Sequence, residues 1–260
     1  MTHHRPTLSA IVITRNEAHN LPDCLQSLQG LVDEIIVVDS QSTDGTPAIA
    51  QQFGAKVAQP ADWPGFGPQK NRALDLATCD WVFSIDADER VTPELAQEIQ
   101  QVLQADNAGV AYKLPRLSSY CGKFIHHAGW QPDYVLRVFK RGSAKFSDDL
   151  VHERVVTEQK VLALQHHLLH FSYLNFSQVL AKVDAYSSAS AQQAFARGKR
   201  SSVAGAVGHG AWAFFRTYVI RRGFLDGAHG LALSISNAET SYYKYLKLWQ
   251  MAQVGPAVKD

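Results

Sequence analysis

The sequence predicts an α/β fold, in which helices cover both faces of a mostly parallel sheet and a helical extension follows. Three observations lead to this prediction. Two apolar, β-rich runs, at residues 8–14 and 34–39, lie on either side of a segment with helical character. Strands then alternate with helices as far as residue 103. From residue 177 onward the pattern is helical and rich in alanine.

Proline and glycine mark the ends of the predicted helices. Pro22, Pro47 and Pro93 each lie in a first helical turn, where proline is tolerated, and Gly30 and Gly54 follow two of the helices. The predicted strands are residues 8–14, 34–39, 56–58, 81–86, 110–114 and 135–140. The predicted helices are residues 20–29, 46–53, 69–77, 92–103, 177–196, 203–220 and 231–251. In a sheet of this kind, ligands bind at the carboxyl ends of the strands.

Composition narrows the class of protein. The chain has 260 residues with enough apolar content for a real core, and its formal charge of +1 gives no general attraction for nucleic acid. Its three cysteines, Cys24, Cys79 and Cys121, form no CxxC pair, which fits neither a disulfide framework nor a structural zinc site. The first apolar run is too short for a signal peptide. We therefore expect a cytoplasmic protein with no nucleic-acid partner.

Two carboxylates follow the fourth predicted strand directly. Asp86 and Asp88 are separated by one residue and would emerge at the carboxyl edge of the sheet. Their oxygens are ligands that suit Mg²⁺ or Mn²⁺, which in turn holds a diphosphate. The alternative is a solvated acidic turn. A dehalogenase-type phosphatase is disfavoured, because it needs this pair after the first strand and a hydroxyl residue where Arg90 stands.

Polar residues also follow the first two strands. Thr14, Arg15, Asn16 and Glu17 come at the end of the first strand, and Asp39 ends the second. An acid at this position can accept the imide hydrogen of uracil, while the residues after the first strand frame the base and ribose. The alternative for Asp39 is an ordinary turn residue.

Two cations lie at the predicted start of the third helix, after a glycine-containing loop. Lys70 and Arg72 are placed there to contact the phosphates of a nucleotide.

Four motifs together resemble the GT-A glycosyltransferases of family two. They are IVITRNEAHNL, IIVVDSQSTDGT, GFGPQKNRAL and VFSIDADE, in that order, and the resemblance covers about the first 160 residues. Later segments, YVLRVFKR, LVHERV and GFLDGAHGL, are similar to bacterial lipopolysaccharide inner-core glucosyltransferases that act on heptose. The resemblance implies a GT-A fold, a UDP-sugar donor such as UDP-glucose, Mg²⁺ or Mn²⁺, inversion at the anomeric carbon and a glycolipid acceptor.

The resemblance also implies roles for individual residues. Thr14, Asn16, Glu17 and Asp39, with the adjoining Arg15, match nucleoside-binding elements; Lys70 and Arg72 match a helix that contacts sugar or phosphate; Asp86 and Asp88 match the DxD pair. The family's catalytic base is an acid well downstream of that pair. Here the candidates are Asp148, Asp149 and Glu153, of which Glu153 is favoured and Asp149 is second. The alternative for either is a solvated charge, and His152 is a candidate for orienting the acceptor.

Four histidines are weaker candidates for functional residues than the acids and cations described above. His166 and His170 have the i, i+4 spacing of a metal pair on a helix, but we favour ordinary packing. The alternative is that His170 completes the metal site formed by Asp86 and Asp88. His126 and His127 are expected to line an acceptor pocket.

The last third of the chain has a different character. Between residues 196 and 223 the charged residues are all basic and alternate with aromatic residues. They are Arg197, Lys199, Arg200, Arg216, Arg221 and Arg222, among Trp212, Phe214, Phe215 and Tyr218. Such a segment favours contact with an anionic membrane surface. The alternative is a helical pair that packs on the catalytic domain and leaves its cations in water.

We therefore expect two domains: a GT-A catalytic domain at residues 6–175 and a helical extension at residues 176–260, peripheral on the inner face of the cytoplasmic membrane. A sugar nucleotidyltransferase is a competing enzyme class, but it would have a glycine-rich loop after the first strand, where this chain has Thr14 to Glu17. A nucleotide-sugar-binding regulator is the competing non-enzyme function.

Overall fold

The computed structural model describes residues 5–107, 109–148 and 153–254. The strands are β1 (Leu8–Thr14), β2 (Glu34–Asp39), β3 (Lys56–Ala58), β4 (Trp81–Ser84), β5 (Glu89–Val91), β6 (Val110–Tyr120), β7 (Lys123–Phe124), β8 (Tyr134–Lys140), β9 (Ala144–Phe146), β10 (Val155–Thr157), β11 (Lys160–Ala163) and β12 (Leu168–Tyr173). The helices are α1 (Leu21–Leu28), α2 (Thr46–Gln52), α3 (Phe66–Asp75), α4 (Pro93–Gln104), α5 (Phe176–Ala196), α6 (Val203–Phe215) and α7 (Gly227–Val254). Within these described residues, no helix is both long and apolar enough to cross a bilayer.

The chain divides into two compact units. Residues up to 116 together with 133–170 form the sheet unit, and residues 117–132 together with those from 171 onward form the helical unit. The helical unit thus includes a segment, 117–132, that comes from the middle of the sequence. The domain boundary expected at residue 175 stays a prediction.

The sheet unit has the α/β architecture that the sequence predicts. β1 pairs in parallel with β2 and β4, β3 extends the parallel set beside β2, and β8 runs antiparallel to β4. Thr14 is paired with Asp39, so the two strands end side by side at one edge of the sheet. The polar residues after β1, β2 and β4 therefore share that carboxyl edge.

Alternation along β1 explains why its sequence is largely apolar. Ala10 and Val12 pack into the core that includes α1 and α4, whereas Ile11 packs into the core on the side of α3. Both faces of the strand are covered, so its central side chains are apolar, and the buried hydroxyl of Ser9 donates to Glu34 Oε2.

Several predicted boundaries need correction. The third helix begins at Phe66 and not at Gln69, because Gly65 precedes it with a φ of 114° and Pro68 is tolerated in a first turn. Lys70 and Arg72 therefore lie in the middle and last turns of α3. The strand predicted at 110–114 continues to Tyr120, the one predicted at 81–86 ends at Ser84, and β5, β7 and β9 to β12 were not predicted.

In the helical unit, α5 and α6 both pack against α7. The turn that joins α6 to α7 consists of a π-helical turn, Arg216–Ile220, and a 3₁₀ turn, Gly223–Asp226. A Cβ atom on Gly230 would lie 1.8 Å from the carbonyl oxygen of Gly223, so only glycine fits where α7 passes this turn.

Candidate active site

A cleft of about 590 Å³ opens at the carboxyl edge of the sheet unit. Eight of the residues singled out in the sequence line it: Thr14, Arg15, Glu17, Lys70, Asp86, Asp88, Glu153 and His170. They come from the ends of β1 and β4, from α3, from β12 and from the segment before β10. The fold therefore brings together residues that are far apart in the sequence.

Lys70 lies between two carboxylates of the cleft. Its Nζ is 3.0 Å from Oδ1 of Asp86 and 3.0 Å from Oε1 of Glu153, and only 7% of its side chain is exposed. The first acid of the DxD pair and the favoured base candidate thus share one buried cation.

Asp86 also contacts a second cation, which the sequence reasoning missed. Arg137 Nη2 lies 2.5 Å from Oδ2 of Asp86 and 2.7 Å from Oε1 of the fully buried Glu89, whose Oε2 accepts the backbone N–H of Asp86. Burial alone would raise the pKa of Asp86, but Arg137 and Lys70 hold that pKa well below its usual range. Burial raises the pKa of Glu89 despite its contact with Arg137. The only sequence signal was an arginine inside the apolar strand β8.

The second acid of the pair has a different partner. Asp88 Oδ2 lies 3.2 Å from His170 Nε2, because His170 is opposite Glu89 where β12 pairs with β5. His166 instead precedes β12, with its Nδ1 2.9 Å from Glu98 Oε2, so the two histidines share no helix and the disfavoured metal pair does not form.

The cleft concentrates negative charge around Asp88. Burial raises the pKa of Glu17, and the charges of Asp88, Asp44 and Asp86 raise it further, against a hydrogen bond from Asn20. In the part of the chain that the structure describes, no three His, Cys, Asp or Glu side chains converge as a ready-made metal site. Mg²⁺ is commonly held by one or two carboxylates together with substrate phosphates, and Asp88 offers a carboxylate for such a shared site, with the imidazole of His170 beside it.

Side chains tie the loops after β1 and β2 together. Asn16 adopts a left-handed φ of 56°, its Oδ1 accepts the backbone N–H of Thr43, and its own N–H donates to Ser42 Oγ. Asn16 therefore fixes the shape of the loops rather than lining the cleft.

Asp39 is fully buried, and its carboxylate is saturated with hydrogen bonds. Oδ1 accepts from the hydroxyls of Thr14 and Ser42, and Oδ2 accepts from the Ser42 N–H and from Gln59 Nε2. A carboxylate has about four acceptor sites, so a nucleobase can bond to Asp39 only if one of these donors moves away.

Helix α3 positions the segment that carries Glu153. A Cβ atom on Gly67 would lie 1.8 Å from the carbonyl oxygen of Ser147, so the helix and this segment are in direct backbone contact. The Asn71 side chain both donates to and accepts from the backbone of Phe146, at 2.9 and 2.8 Å. The position of Glu153 therefore depends on α3.

Asp148 and Asp149 were the other candidates for the catalytic base, and His152 was the candidate for orienting the acceptor. Asp148 is exposed. Asp149 and His152 lie outside the described residues.

The mouth of the cleft has an aromatic pair that the sequence reasoning did not single out. The rings of Trp63 and Phe66 are perpendicular, with centroids 5.0 Å apart, and are 42% and 49% exposed. Arg72 does not reach the cleft lining, because its Nη2 lies 2.7 Å from Asp62 Oδ2.

His126 and His127 belong to the helical unit. Their backbone N–H groups donate to the two carboxylate oxygens of the buried Asp226, at 3.1 and 2.9 Å. Their predicted role in an acceptor pocket stays a prediction.

The sequence is similar to one protein family and to several individual glycosyltransferases. The family Glycosyl transferase family 2 matches residues 9–157. A protein of Rickettsia felis described as an uncharacterized glycosyltransferase is 32% identical, covering 93% of this chain and 89% of its own length. The lipopolysaccharide core biosynthesis glycosyltransferase LpsC of Rhizobium meliloti is 31% identical, covering 94% of this chain and 92% of its own.

Solved structures show more distant similarity. Staphylococcus aureus TarS is 17% identical with a TM-score of 0.47, covering 64% of this chain and 36% of its own. Glucosyl-3-phosphoglycerate synthase from Mycobacterium tuberculosis, solved with Mn²⁺, UDP and glucosyl-3-phosphoglycerate, is 28% identical with a TM-score of 0.37, covering 44% of each chain.

Proposed function

The chain belongs to glycosyl transferase family 2, and we propose that it transfers a sugar, with glucose from UDP-glucose as the first candidate, to a hydroxyl of a lipopolysaccharide core acceptor. The observation that carries this proposal is the convergence of Lys70, Asp86, Asp88, Glu153 and His170 in one cleft. The proposed reaction is a direct displacement that inverts the anomeric carbon, so it needs no covalent sugar–enzyme intermediate.

Asp39 is the proposed contact for the uracil ring. Of its four hydrogen-bond donors, the amide of Gln59 is the one that belongs to an exposed residue. We expect the uracil imide to replace the Gln59 amide at Oδ2. Asp39→Asn should then weaken UDP binding about tenfold or more, whereas Gln59→Ala should leave it unchanged or tighter.

Asp88 and His170 are the proposed protein ligands of Mg²⁺ or Mn²⁺, with Glu17 adding negative charge nearby. When bound, the metal neutralises the charge of the diphosphate leaving group. Asp86 has both oxygens occupied by Lys70 and Arg137, so we propose that it serves donor binding and holds Lys70 in place. Its predicted role as a metal ligand stays a prediction.

Glu153 is the proposed base that accepts the proton of the acceptor hydroxyl. It lines the cleft and its carboxylate is fixed by Lys70, which the neighbouring Asp86 fixes in turn. A base held in one orientation is effective because it needs no rearrangement during the reaction.

The proposed acceptor is a sugar of the lipopolysaccharide core. The similarity to LpsC along almost the whole of both chains supports this class of acceptor. Trp63 and Phe66 offer exposed ring faces at the cleft on which the apolar face of a sugar can stack. Because such an acceptor is anchored in lipid, we propose that the protein works at the cytoplasmic face of a membrane.

A thermal-shift panel of nucleotide sugars, with and without Mn²⁺, tests the donor and the metal. A true donor stabilises the folded protein by mass action, by about 2.7 kcal/mol at a concentration 100 times its Kd. We expect the largest shift for a UDP-sugar with Mn²⁺, and a much smaller one for GDP-sugars or in EDTA. Equal shifts for UDP- and GDP-sugars would contradict the uracil contact.

Transfer itself is measured with the selected donor and purified lipopolysaccharide core acceptors of decreasing length. Turnover with a heptose-ending acceptor supports the proposal. Donor hydrolysis without transfer to any core acceptor would refute the acceptor class while leaving the donor assignment intact.

A further inference from the structure

Helix α6 exposes the side chains that a helix in water normally buries. Val203, Val207, Trp212 and Phe215 are each between 44% and 55% exposed. Its buried positions are small, and a Cβ atom on Gly210 would lie 3.1 Å from the Cβ of Tyr242 on α7. Large apolar residues outside and small ones against the neighbouring helix are the arrangement of helices surrounded by lipid.

The exposed apolar surface continues beyond α6. Val219 and Ile220 in the π-helical turn and Phe224 and Leu225 in the 3₁₀ turn are 44% to 55% exposed. We call these eight residues, from Val203 to Leu225, the apolar stripe. Exposed large apolar side chains that cluster in one part of a protein mark interaction sites.

Charge indicates what covers the stripe. Residues 196–223 contain six cations and no acid, and all six cations are exposed. In the described part of the chain, none of them forms an ion pair with a carboxylate. Arg216 and Arg222 lie within the sequence of the stripe. The next acid, Asp226, is buried and accepts hydrogen bonds from the backbone of His126 and His127.

From these observations we infer that the apolar stripe inserts into the headgroup region of an anionic bilayer while the surrounding arginines contact lipid phosphates. An anionic surface satisfies both the apolar and the basic groups. A second copy of this chain would not, because pairing through the stripe would bring like charges together. The inference rests on the proposed function only for the expectation of a lipid-anchored acceptor.

Vesicle flotation tests this inference on the full chain, without donor, metal or acceptor. We expect binding to vesicles of equal parts phosphatidylglycerol and phosphatidylcholine, little binding to pure phosphatidylcholine, and release by salt. Because no transfer is measured, the result of this test does not depend on whether the proposed function is right. If the protein does not bind vesicles, the donor assignment is equally unaffected.

Two sets of variants assign the binding to the stripe. Phe215→Ser with Ile220→Ser removes apolar contact, and Arg216→Gln with Arg222→Gln removes charge; each pair should weaken binding roughly tenfold or more. Arg221 is kept, because its side chain lies close to Gly129. Leu162→Ser, at an exposed position of β11 in the sheet unit, is the matched control and should bind normally.

Trp212 gives a direct readout of insertion. Lipids brominated along their acyl chains should quench the fluorescence of the unchanged protein more than that of Trp212→Phe. The inference is overturned if anionic vesicles fail to bind at low salt, or if the serine pair binds as tightly as Leu162→Ser. It is also overturned if light scattering shows a dimer that only the serine pair dissociates.

Discussion

The sheet unit and the helical unit place their apolar residues in opposite ways. The sheet unit buries most of its large apolar side chains, Trp81 and Phe83 completely, and lines its cleft with charged groups. The helical unit buries small residues such as Ala206 and exposes Trp212 and Phe215. Most of the exposed large apolar side chains in the described residues lie in the helical unit. The comparison supports both proposals, that the first unit carries out the transfer and that the second contacts a membrane.

The largest expected effect comes from Asp88→Ala. Transfer should fall to background, more than about 10³-fold, because a metal ligand contributes several kcal/mol to charge stabilisation. Vesicle binding should not change, since the altered residue is in the sheet unit. The measurements are the initial rate with Mn²⁺ and Mn²⁺ binding by electron paramagnetic resonance. Glu158→Ala, an exposed acid of the same unit, is the control. Undiminished transfer by Asp88→Ala in EDTA would disprove the metal role.

The next effect concerns the base. Glu153→Gln preserves shape but cannot accept a proton, so transfer should fall by roughly 10²–10⁴-fold while donor and metal binding stay nearly unchanged. Asp149→Asn and Asp148→Asn are the matched controls. If Asp149→Asn is inactive and Glu153→Gln retains most activity, the base is Asp149. If Glu153→Gln also loses donor affinity, the residue belongs to the donor site instead.

The parallel part of the sheet could be predicted because its signals are local. β1, β2 and β3 begin and end where the sequence predicts, because the largely apolar segments of β1 and β2 and the turn residues around all three leave little choice of strand. The same logic placed Asp86 and Asp88 at the carboxyl edge. The sequence offered His170 only as an alternative third ligand of the metal site, because the pairing of β12 with β5 cannot be read from the sequence.

The counter-charges of the site could not be predicted in this way. Arg137 reaches Asp86 only because β8 pairs antiparallel with β4, a contact between residues about 50 positions apart that depends on tertiary structure. The saturation of Asp39 depends likewise on Gln59 in another loop. Asp39 therefore has a structural role in joining the loops after β1 and β2, besides the predicted contact with the base.

A smaller effect is expected where α3 meets the segment that carries Glu153. Gly67→Ala forces the backbone near Ser147 to move, and a displacement of about 1 Å at a catalytic group can cost on the order of 10²-fold in rate. Gly208→Ala is the matched control in the helical unit, because its Cβ would meet nothing within 4 Å. Donor binding measured by thermal shift should survive in both variants. Equal rates for both would mean that the position of Glu153 does not depend on this contact.

The smallest effect is expected at the amino edge of the sheet, away from the cleft. Glu34 begins β2, and burial alone would raise its pKa, but hydrogen bonds from Lys56, Ser9 and Thr78 lower it to about 2. A folded-state pKa below the ordinary value of 4.5 means that the ionised carboxylate stabilises the fold above about pH 4.5. This stabilisation is lost as the pH falls towards 2.

Glu34→Gln should therefore lower the free energy of unfolding by about 1–2 kcal/mol at neutral pH, after allowance for solvent screening, with no change in the rate of transfer. Urea unfolding of both proteins between about pH 7 and about pH 3 should show the difference shrinking as the pH falls. A difference that stays constant over this range would mean that Glu34 stabilises the sheet edge by packing and not by its charge.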